Sequence, residues 1–146
     1  MGTTDKAKEF ATIFGLILAE VHASHPIRLN LDYATIMDAM GIASPQDKLP
    51  SGLMFKEMCR ATLDWLIQEQ FVHAFGGVQN LTLTTKGLAA MNAVPENLGG
   101  PSIAEAIEEA KPDAGSDAGR NRLAAIVGDF IGSAAGAFTK SVSSGG

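Results

Sequence analysis

The chain has 146 residues, 46% of them hydrophobic and 18% charged, with a formal net charge of −5. That length suits one domain with enough apolar material for one core. The acidic excess is spread over both residues 1–92 and residues 93–146, so the overall field does not draw in phosphate backbones, and DNA is disfavoured as a partner on charge.

The single cysteine, Cys59, cannot form an internal disulfide and fits a reducing compartment. Its setting among Phe55, Met58 and Leu63 reads as a small apolar core residue. The first apolar stretch, Phe10 to Val21, contains Glu20 and lacks a basic start, unlike a secretory leader. No run of about 18 apolar residues marks an ordinary membrane span. The expected location is therefore cytoplasmic, with membrane association left open.

In chain order, Phe10, Ile13, Phe14, Ile17, Leu18 and Val21 define one apolar helix face within residues 6–23, with Thr4 or Asp5 as cap. The helix should end before Pro26. Residues 27–31, IRLNL, alternate like a short strand. Asp32 caps a helix from Tyr33 to Met40, and Gly41 stops it. A loop of about ten residues follows, and Ser51 or Gly52 opens a helix to about Gln70 with Leu53, Phe55, Met58, Cys59, Thr62, Leu63 and Leu66 inward. Residues 71–75 and 78–83 read as a hairpin around Gly76-Gly77. Thr84 or Thr85 then caps a short helix through Met91. Pro95 and Gly99-Gly100-Pro101 break the chain. Ser102 and Glu105 make a capping box for a helix over 102–111, and 112–120 read as a flexible linker by composition.

The order helix, strand, helix, helix, hairpin, helix resembles the winged helix-turn-helix domains of bacterial regulators. Leu63, Trp65, Leu66 and Phe71 carry the match before and on the hairpin, and Leu81, Leu83, Thr84, Lys86, Gly87 and Leu88 carry it after. The resemblance implies a mainly α fold with a small β-hairpin: a winged-helix domain over 6–92, followed by a C-terminal helical tail. It also implies that the helix at 52–70 sits where such domains read DNA, with Lys56 and Arg60 one turn apart and Lys48 nearby. Glu57 and Asp64 flank that pair, and FGGVQN at the tip carries no cation. A solvated outer face is the competing account of Lys56 and Arg60. Trp65 reads as packing against the hairpin, with an exposed anchor as the alternative.

The tail divides into a linker with a short helix, 93–120, and a glycine-striped amphipathic helix, 121–142. Ala124, Gly128, Gly132 and Gly136 recur every four residues beside Val127, Phe130, Ile131, Ala134 and Phe138. Each interior glycine costs a helix about 0.8–1 kcal/mol relative to alanine, so a second surface should come close. Packing on its own domain or a second copy, membrane engagement through 121–142, and a disordered tail all remain open. His22, His25 and His73 form no metal set, and no nucleophile–base pair or phosphate loop stands out. The reading is a non-enzymatic module without cofactor or metal. It binds a protein partner or itself, and DNA regulation is the alternative.

Overall fold

The structure is a computed structural model that describes residues 2–76, 79–95 and 100–145, and the side-chain surroundings of residues 5–76, 80–95 and 100–134. It is mainly helical with one two-stranded hairpin. Helix α1 (Gly2–Ser24) already runs through Thr4 and Asp5, so neither caps it. Every residue from Ala11 to Ala19 is buried. A helix apolar all round lies inside its domain, and α1 does so because elements pack on more than one side of it. The one polar residue in that run, Thr12, donates its hydroxyl to the Lys8 carbonyl.

Against α1 lie α2 (Tyr33–Met40), α3 (Phe55–Gln68) and the hairpin of β1 (Val72–Gly76) and β2 (Gln79–Leu83). Asp32 caps α2 by accepting from the Ala34 amide, and Gly41 ends it at φ +71°. The amide of Ile42 reaches back to Met37, which closes the turn. Residues 27–31 form no full strand. Leu29 alone pairs with Leu81, exchanging both backbone hydrogen bonds at 2.9 and 2.8 Å.

Helix α3 starts at Phe55, later than the sequence suggests, and its N-cap Met54 supplies no side-chain bond. The reason is Glu9 on α1. This residue is only 4% exposed, and its carboxylate accepts from both the amide and the hydroxyl of Ser51 and so holds the loop tip against α1. Lys48 then pairs with Met54, and the amides of Phe55 and Lys56 donate back to the Asp47 and Pro45 carbonyls as α3 begins. The far end of α3 closes on Gln70 at φ +63°, with Phe71 donating to the Leu66 carbonyl at 3.0 Å.

The step from β2 into α4 (Thr85–Asn92) explains the Leu-Thr-Thr-Lys-Gly-Leu pattern. Thr84 accepts from the Gly87 amide and donates its hydroxyl to the Gln70 carbonyl. Lys86 donates to the Glu69 carbonyl and lies over the Phe71 ring. A Cβ at Gly87 would collide with the Phe71 carbonyl, so only glycine lets α4 seat here.

The C-terminal third departs from a tether. Helix α5 (Ile103–Ala110) has the expected Ser102/Glu105 capping box and buries Ile103, Ala104, Ala106, Ile107 and Ala110. The segment expected as a flexible linker, 112–120, is instead structured. A 3₁₀ turn (Lys111–Asp113) runs into α6 (Asp117–Gly145), which starts four residues earlier than expected. Gly119 packs so closely on the Asp113 carbonyl that a Cβ would collide with it. Arg120 donates to the Ala114 carbonyl at 2.9 Å and reaches the Met40 carbonyl at the end of α2 at 3.5 Å.

Helix α6 lies along α1. Leu123, Ile126, Val127, Phe130 and Ala134 are its inner stripe, all buried in the same core cluster as α1 and α3. Phe130 meets Phe71 at 4.7 Å and Phe14 at 5.5 Å between ring centroids. Trp65 packs on Phe10, Phe14 and Phe71 in that same group, which is the core role expected for it.

Candidate functional site

A helix surface that must meet another surface shows itself by what its glycines face. Gly15 on α1 is one such case: a Cβ there would stand 3.3 Å from a Leu123 methyl and 3.5 Å from a Val127 methyl. This glycine, absent from the sequence-based expectations, gives α6 its close approach. The uncharged run Phe10–Ala19 was the available signal.

The stripe on α6 behaves differently. Gly128 and Gly132 are exposed, and a Cβ at either meets no atom within 4 Å. Ala124 is half-buried, and Ile131, expected on the apolar face, turns outward at 37% exposure. Val127 goes the other way, into the core. Thus Gly128, Ile131 and Gly132 share the outer face, while Val127 and Phe130 hold the inner one. Gly136 and Phe138 belong to α6, and their surroundings lie outside the described residues. The close approach expected along the glycine row is not made within the chain at Gly128 or Gly132.

The expected nucleic-acid residues are Lys48, Lys56 and Arg60. All three are exposed, with Lys48 in the loop bridge and the other two on α3. Glu57 and Asp64 are exposed on the same helix. Tyr33, which stacks edge-on to Phe55 at 6.4 Å, sits in this neighbourhood. Its phenol is pushed above its ordinary pKa, first by burial, then by Cys59 and Asp64, with Arg60 opposing.

The segment between α1 and α2 brings a cation to the hairpin, a placement that no local sequence pattern reveals. The guanidinium of Arg28 lies 3.9 Å from the centre of the Phe75 ring. Ile27, 71% exposed, and Phe75, 52% exposed, flank it. The tip residues Gly77 and Val78 lie outside the described residues. A cleft of about 540 Å³ adjoins β1, lined by residues of the α3 end, β1 and the α4 start.

His22 shares a hydrogen bond of 3.4 Å with Asn92, while His73 neighbours Phe75 on the hairpin. Among the described residues no group of three His, Cys, Asp or Glu could hold a metal ion. The buried Cys59 thiol is pushed up to about 12 by burial, which keeps it protonated and unreactive at neutral pH. Among the described residues no helix is long and apolar enough to cross a membrane.

Comparison of the chain with protein-family models, with curated proteins and with solved structures finds no match.

Proposed function

We propose that this chain is a non-enzymatic binding module of the cytoplasm. Residues 6–92 form a unit of winged-helix type whose surface docks a partner protein, and the outer face of α6 joins one copy to another. The element order and the Leu29–Leu81 bridge support the winged-helix reading, with the third strand reduced to one residue pair. The observation that carries the self-association is the contrast among glycines. Gly15, Gly87 and Gly119 each face a close neighbour in the chain, whereas Gly128 and Gly132 face none and stand beside outward-turned Ile131. A second helix backbone is the surface such a row fits.

Light scattering of the full chain across a concentration series tests it. The mass should rise with concentration, and Ile131→Glu should hold it at the monomer value. A wild-type chain that stays monomeric throughout removes the proposal.

One observation favours a second reading, DNA binding: Arg28 brings to the hairpin a cation that its own strands lack. Duplex binding that weakens with salt and vanishes in Lys56→Ala/Arg60→Ala would support that role. Binding unchanged in the double variant would exclude it.

A further inference from the structure

We draw no further inference here: the strongest candidate, the edge of β1 left unpaired among the described residues together with the cleft between it, the end of α3 and the start of α4, has exposed charges of both signs beside it in Lys86 and Glu69, and nothing in the structure shows what covers it.

Discussion

Replacing Gly128 and Gly132 together by alanine separates the fold of one copy from the contact between copies. Both positions are helical and exposed, and an added Cβ meets nothing within 4 Å. In the isolated copy each substitution should therefore gain close to the full difference in helix propensity, about 0.8–1 kcal/mol, or nearly 2 kcal/mol for the pair. For a chain of this size 1 kcal/mol moves the midpoint by about 3–4 °C, so the double variant should melt roughly 5–8 °C higher in dilute solution. The contact between copies should respond in the opposite sense. Two backbones that approach along glycines have no room for methyl groups, and overpacking costs about 1–3 kcal/mol. The dissociation constant should weaken by roughly tenfold to a hundredfold. Calorimetry at low concentration and sedimentation velocity at high concentration read the two effects separately. A lower melting point would refute the claim that these glycines are bare within the chain. A higher melting point with unchanged self-association would refute the claim that this face is the interface.

Other substitutions probe the interior. Gly87→Ala should do the reverse of Gly128→Ala and destabilise by more than about 1 kcal/mol, since its Cβ would meet the Phe71 carbonyl; urea midpoints compare the two directly. Phe130→Ala should cost about 3–5 kcal/mol in denaturant unfolding, because its ring fills the space between Phe14 and Phe71. A near-neutral result would show that α6 is not part of the core. Cys59 should resist iodoacetamide at pH 8 until the chain is unfolded. Its folded pKa, about 12, lies above its ordinary value of 9.0. The stability tied to the neutral thiol is thus full below about pH 9 and is lost as pH rises toward 12.

Much of the architecture was legible where local chemistry decided it. Asp32 and Gly41 bound α2, Thr84 caps α4, and Ser102 with Glu105 caps α5; each acts within a few residues. What was hidden depends on distant partners. Glu9 delays the start of α3 by binding Ser51, and no periodicity near Ser51 reveals that bond. Residues 112–120 have the composition of a linker, yet Gly119 is there to clear the Asp113 carbonyl and Arg120 to reach Met40. The glycine row was visible and its direction was not. Which side of α6 faces inward is set by the bulk of Leu123, Ile126, Val127 and Phe130, so the small residues fall outside. The cleft beside β1 has no local signature, because its walls come from three separate elements.

The burial of α1 on all sides also has a consequence in time. During synthesis this helix is made about a hundred residues ahead of the segment that covers it through Gly15 and Phe14. At about 5–20 residues per second, its greasy flank stays bare for on the order of ten seconds. The nascent chain therefore carries an adhesive surface until Leu123 and Phe130 are made, and a ribosome stalled before Leu123 would keep it on display.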